Sequence, residues 1–164
     1  MEDLLSAMDL SKSSFYQAFG GKAALFKRCL ESYRDVAADK LGQALENAPS
    51  GRDFIESTLR GVAEGTTSPM GRAGCLLMNT ATEFAQRDPE IASLVARSLQ
   101  RFEELFYDAV RRAQREGDIP TTADARGLAQ FLATNLGGLK AMARAGAEPS
   151  KIRTVVAIVM NALR

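Results

Sequence analysis

Five prolines, at positions 49, 69, 89, 120 and 149, stand between stretches of helical periodicity and never inside one. Proline lacks the backbone donor and its ring collides with the preceding turn, so it tolerates helix starts and loops only. The chain is thereby cut into segments of helical length. Composition agrees, because 26 alanines and 18 leucines stand against 7 valines and 5 isoleucines. Alanine and leucine lose least on entering a helix, whereas β-branched side chains lose rotamer freedom there. The expectation is an all-α chain of eight helices and no strand. Its 164 residues make one globular unit that buries about 70% of its unfolded surface without staples.

Periodicity and caps place the helices at residues 2–8, 12–19, 22–46, 51–66, 75–86, 89–117, 124–146 and 149–163. Ser50 and Asp53 form a capping pair at the fourth. Gly71 and Gly74 mark a loop. Asp88-Pro89-Glu90 is the strongest start signal, with a capping acid, a proline at the first helical position and an acid on the helix dipole. Gly117 and Gly146 are stops.

Several function classes fall away at once. The chain has no histidine, which removes imidazole acid–base work, Ser-His-Asp triads and most zinc sites. With no glycine-rich phosphate loop either, no enzyme, metal or cofactor is expected. The two cysteines, Cys29 and Cys75, form no CxxC, so a reducing cytoplasm is the default location. Glu2 and Asp3 stand where a signal peptide carries basic residues. The longest apolar run, Val155 to Met160, is far short of a membrane span.

Net charge is only +1, but its distribution is informative. From Leu10 to Leu30 the chain carries Lys12, Lys22, Lys27 and Arg28 and no acid. Here two short helices are joined by a tight turn, the parts of a helix-turn-helix. Leu4, Leu5 and Met8 are expected to pack against Leu10, Phe15 and Phe19. The second helix then turns Lys12, Ser13, Tyr16 and Gln17 outward, a polar set suited to reading a nucleic-acid groove. Asp9 stands at the turn, where an aspartate tolerates the left-handed conformation. Lys22 opens the long third helix against the preference of the helix dipole. That mismatch makes sense if a phosphate sits at the helix start.

The sixteen residues Leu10 to Leu25, LSKSSFYQAFGGKAAL, resemble the recognition-helix signature of TetR-type transcriptional regulators. Tyr16, Phe19, Lys22 and Leu25 carry the match. Gly74-Cys75-Leu76-Leu77 and Asp88-Pro89 also resemble a segment of that family's regulatory domains. The resemblance implies a DNA-binding region over residues 1–30 and a helical regulatory and dimerisation region over 31–164, linked by the long helix. It implies that Tyr16 and Lys22 contact phosphates and Ser11 caps the recognition helix. Lys12, Ser13, Ser14 and Gln17 are then candidates for base or backbone contact, although Lys12 and Gln17 also suit a merely solvated face. Operator double-stranded DNA, a small-molecule effector and a second copy of the chain are the implied partners. The function implied is a ligand-responsive repressor. The family's first helix has no counterpart, because the chain opens at the second. We expect residues before Met1 in the natural protein, or weak DNA binding by this form. The competing reading is a helical ligand- or partner-binding protein that does not bind DNA in this short form.

For the effector, the expected lining is mainly apolar with a few polar anchors: Phe54, Cys75, Met78, Asn79, Phe102, Phe106, Asn135 and Met142. Asn135 lies among leucines, where an amide needs a partner; a bond to a neighbouring helix would explain it equally well. Cys75, at a helix start near Arg72, is either a sensor thiol or a small buried residue. With few charges on these faces, the effector is expected to be small and mostly apolar. The last helix is apolar around much of its girth. Leu139, Ile152, Val155, Val156, Val159, Met160 and Leu163 are therefore the expected dimer contacts. A two-fold dimer would present its recognition helices to successive major grooves, about 34 Å or a modest multiple apart.

Overall fold

The computed structural model describes residues 1–164, leaving aside the side chain of Met70. Nine helices and no strand are found among the described residues: α1 (Glu2–Met8), α2 (Lys12–Phe19), α3 (Lys22–Asn47), α4 (Gly51–Gly65), α5 (Pro69–Arg72), α6 (Leu76–Phe84), α7 (Pro89–Glu116), α8 (Ala125–Arg144) and α9 (Pro149–Asn161). Eight match the expected segments. The ninth, α5, occupies the stretch expected to be loop. Its cause is local: Pro69 starts the turn, and Ser68 Oγ accepts from Gly71 N–H at 3.0 Å, as an N-cap hydroxyl does. None of the described helices is long and apolar enough to cross a membrane.

The caps act as their residue types require. Asp88 accepts from the N–H groups of Glu90 (2.9 Å) and Ile91 (3.1 Å) at the start of α7. Ser50 accepts from Asp53 N–H at 3.0 Å at the start of α4. Gly117, at φ 85°, closes α7.

The 28-residue α7 is the central post, packed against α3, α4, α6 and α8. The larger apolar core lies between α4, α7, α8 and α9. There Phe54 and Phe106 meet with ring centroids 6.1 Å apart. Each such ring contributes about 1.5–3 kcal/mol by burial and about 0.5–1.5 kcal/mol through its aromatic neighbour. A second, smaller cluster joins Leu30 of α3 to Cys75, Leu77 and Leu94, with Phe26, Tyr33, Leu76 and Phe102 at its margin. Through it the first half of α3 rests on α6 and α7. The helix itself runs unbroken through the expected boundary at residues 30 and 31.

The far end of α3 is held differently. Arg112 of α7 donates to the carbonyls of Leu45 (2.7 Å), Ala48 (3.0 Å) and Pro49 (3.1 Å). These are carbonyls that a helix end and its following turn leave without helical partners. Arg112 also donates to Glu116 at 2.7 Å, and Glu116 accepts the Gly51 N–H at 2.7 Å. That N–H first, and Arg112 next, hold the Glu116 carboxyl below the usual carboxylate range. One arginine–glutamate pair thus clasps the end of α3 and the start of α4.

Candidate nucleic-acid interface

The turn after α1 is made by Asp9, whose φ of 51° is the only positive value at a non-glycine residue among those described. Leu10 N–H reaches back to the Leu5 carbonyl at 3.0 Å and Asp9 N–H to that of Ser6 at 3.2 Å, the paired closure of a left-handed helix stop. Ser11 then caps α2, its Oγ accepting from Ser14 N–H at 3.1 Å and lying 2.8 Å from Ser14 Oγ. Ser14 is thereby tied into the cap, although it stays exposed.

Phe15 turns inward and is 0% exposed. Phe19 lies beside it, ring centroids 5.4 Å apart, and is half-buried. Leu4, Leu5, Met8 and Leu10 are also half-buried. On the other side of α2, Lys12, Ser13, Tyr16 and Gln17 face solvent, Tyr16 with 46% of its surface exposed.

The Gly20-Gly21 turn sets Tyr16 against the start of α3. Gly20 takes φ 76° and Gly21 φ 150°, both open to glycine and strained for other residues. A Cβ placed on Gly21 would come within 3.8 Å of the Tyr16 ring. Lys22 follows as the first residue of α3, which has no side-chain cap and no acid in its first turn. The first backbone bond into this helix is Leu25 N–H to the Gly21 carbonyl, 3.0 Å, so the preceding N–H groups keep their donor capacity. The Tyr16 ring therefore lies against the turn that opens α3, where Lys22 and free backbone N–H groups stand, and a phenol, an ammonium and a helix N-terminus are each able to hold an anion.

The four cations of this stretch divide by role. Lys27 pairs with Glu90 at the start of α7. Arg28 donates to the Ala18 carbonyl at 3.4 Å and lies over the Phe19 ring, 5.7 Å from its centroid. Both are occupied in holding α2 and α3 in place. Among the described residues, Lys12 and Lys22 have no ion-pair partner, so their charge is available to a ligand.

The expected effector residues do not gather round one cavity. Phe54 and Phe106 fill the main core, and Met142 packs against its edge. Cys75 and Phe102 belong to the smaller cluster. Met78 is exposed beside Gly137 of α8. Asn79 donates to the Ala73 carbonyl at 3.2 Å. Asn135 donates one turn back, to the Phe131 carbonyl at 2.8 Å, so no neighbouring helix is needed to satisfy its amide. Tyr33, on the same side of α3 as Phe26 and Leu30 but not among the expected site residues, meets the Cys75 thiol and Leu76. Burial first, and then Cys75, push its phenol above the ordinary range. Its place one heptad beyond Phe26 was the available signal.

The expected dimer residues need correction. Leu139, Ile152, Val156, Val159, Met160 and Leu163 are all buried within the chain's own core, and Val155 packs half-buried against it. The reason is that α9 lies between α4 and α8, so its broad apolar girth is consumed inside the chain. What remains outside is Ile158, 64% exposed, on α9 and Phe131, 39% exposed, on α8.

Residues 52–159 match the family described as the tetracyclin repressor-like C-terminal domain. The chain is 25% identical over 164 residues to the uncharacterized HTH-type transcriptional regulator YezE of Bacillus subtilis (strain 168), covering 99% of this chain and 84% of that one. It is 26% identical over 162 residues to the HTH-type transcriptional repressor ComR of Escherichia coli (strain K12), covering 98% and 77%. Among solved structures it is similar to a cysteine mutant of the TetR family transcriptional regulator CifR complexed with 26-base-pair operator DNA. That match has a TM-score of 0.86 and 27% identity, and covers 100% of this chain and 86% of the other.

Proposed function

The chain belongs to the TetR family of transcriptional regulators, and from that premise we propose a homodimeric repressor that holds operator DNA through α2 and the start of α3. It acts in the cytoplasm, and a small, mostly apolar effector acting on residues 31–164 releases it. The observation that carries the DNA contact is the Tyr16 ring lying against the Gly21 turn at the uncapped, acid-free start of α3, whose first residue is the exposed Lys22. Phosphates are held by such groups, while Lys12, Ser13 and Gln17 on α2 reach toward base edges. Release is supported by the smaller cluster, which seats α3 on α6 and α7. An effector that parts those helices moves α3 and with it α2. A coupling of about 1–3 kcal/mol suffices for such control.

The test is fluorescence anisotropy of the chain on a duplex selected from random sequence, at about 50 and 200 mM salt. Six or more phosphate contacts per dimer predict a fall of roughly a thousandfold or more between these conditions. Absent binding, or binding indifferent to salt, overturns the reading.

For the dimer we propose the outward faces of α8 and α9. Phe131, Thr134, Gly138 and Ala141 along α8, and Ala145 at its C-cap, are exposed and follow steps of three and four, the spacing of a helix–helix seam. Small residues at its middle permit close approach, and Ile158 extends the apolar surface onto α9. Gly138→Glu is the clean probe, because a Cβ there meets nothing within 4 Å in the chain itself and the position is exposed. Sedimentation is expected to show a monomer with unchanged helicity by circular dichroism. A dimer of undiminished affinity would place the interface elsewhere.

A further inference from the structure

A groove between α4 and α9 lies away from the DNA-facing surface and is lined by none of the expected effector residues. Its volume is about 370 Å³, within the range of roughly 300–1,000 Å³ that holds small organic ligands. Its floor is apolar, formed by the buried side chains of Ala63, Val156 and Met160. Its rim is cationic, with Arg52 and Arg60 from α4, Arg153 from α9 and Arg164 just beyond it.

The acids nearby do not cancel that charge. Glu56 pairs with Arg60 at 2.8 Å and so neutralises one guanidinium of the four. Among the described residues, Arg52 and Arg153 have no carboxylate partner. Glu64 stands exposed at the same rim, likewise without a cation. Arg52 is fixed in place by donating to the Met160 carbonyl at 3.2 Å, in the last turn of α9. That bond orients the guanidinium and leaves its charge uncompensated.

We propose that this groove binds a small organic carboxylate with an apolar body. The body covers Ala63, Val156 and Met160, and the carboxylate meets Arg153 with Arg52 in support. Guanidinium and carboxylate match in shape through paired N–H···O bonds. The same floor offers a neutral analogue only its apolar half, and the rim repels a cationic one.

Isothermal titration calorimetry with octanoate, octanol and octylammonium tests this on the intact chain. Octanoate is expected to bind about tenfold or more tightly than octanol, with octylammonium weaker still. Arg153→Glu is expected to weaken octanoate about tenfold or more, while leaving the thermal midpoint of the unliganded protein and its operator affinity unchanged. No octanoate binding, equal binding of octanol, or an Arg153→Glu variant that still binds octanoate fully would each overturn the proposal. Operator binding is read separately, so loss of the carboxylate site and loss of the regulator function are distinguishable.

Discussion

Lys22→Glu is expected to abolish most operator binding while leaving the protein as stable as before, or slightly more so. The two effects run in opposite directions for one physical reason. The N-terminus of α3 carries partial positive charge and uncapped N–H groups, with no acid in its first turn. A glutamate there complements the helix dipole and adds about 0.3–1 kcal/mol to stability. A phosphate at the same place loses a charge-assisted hydrogen bond and gains a repelling neighbour, a loss of about 2–3 kcal/mol or on the order of 100-fold per site. Removing a phosphate contact also lowers the salt slope by about one for each subunit. Anisotropy at two salt concentrations and thermal unfolding measure both sides. Undiminished affinity in the variant would mean that no phosphate lies at α3 and would remove the interface built on Tyr16 and Lys22.

The second large effect is on the fold. Gly51 is the first residue of α4, and a methyl group there would run into the Ala109 carbonyl and lie 2.6 Å from the Ala113 nitrogen of α7. Both are helix backbone and cannot swing aside. Relief requires α4 to move off α7, which strains the Gly51–Glu116 bond and parts Phe54 from Phe106. Gly51→Ala is therefore expected to destabilise the chain by about 2–4 kcal/mol, lowering the melting temperature by roughly 5–15 °C. Gly61→Ala, in the same helix with nothing within 4 Å of the new methyl, is expected to stabilise by about 0.5–1 kcal/mol. Equal and small effects at the two positions would mean that α4 and α7 are not in backbone contact at Gly51.

The helices were legible because their signals are local. Asp88-Pro89, Ser50 with Asp53, and Gly117 act within a turn of where they stand, so reading along the chain finds them. The recognition segment was legible for the same reason: Ser11, Phe15, Tyr16 and Gly20-Gly21 arrange one another across ten residues. Ser68-Pro69 carried a start signal of the same kind as Asp88-Pro89. Gly71 and Gly74, which favour a loop, stand within six residues of that signal and confine α5 to Pro69–Arg72.

The residues of α9 mark where local reading stops. Periodicity established that Ile152, Val156, Val159 and Met160 are apolar and share a broad surface, but an apolar surface has no address. Whether it faces the same chain or a second copy depends on where α4 and α8 lie, and that is a matter of packing. The same holds for Arg112, whose partners at Leu45, Ala48 and Pro49 are more than 60 residues away in sequence. It holds too for Lys27, whose partner Glu90 lies 63 residues away in sequence.

By itself, then, the order of residues determined the helices, their ends and the turn that sets Tyr16 against the start of α3, because each rests on interactions between near neighbours. The tertiary structure alone decided which cations stay available, which apolar faces are spent inside the chain and where the α4–α9 groove opens. Those outcomes depend on distances between segments that no short-range pattern encodes.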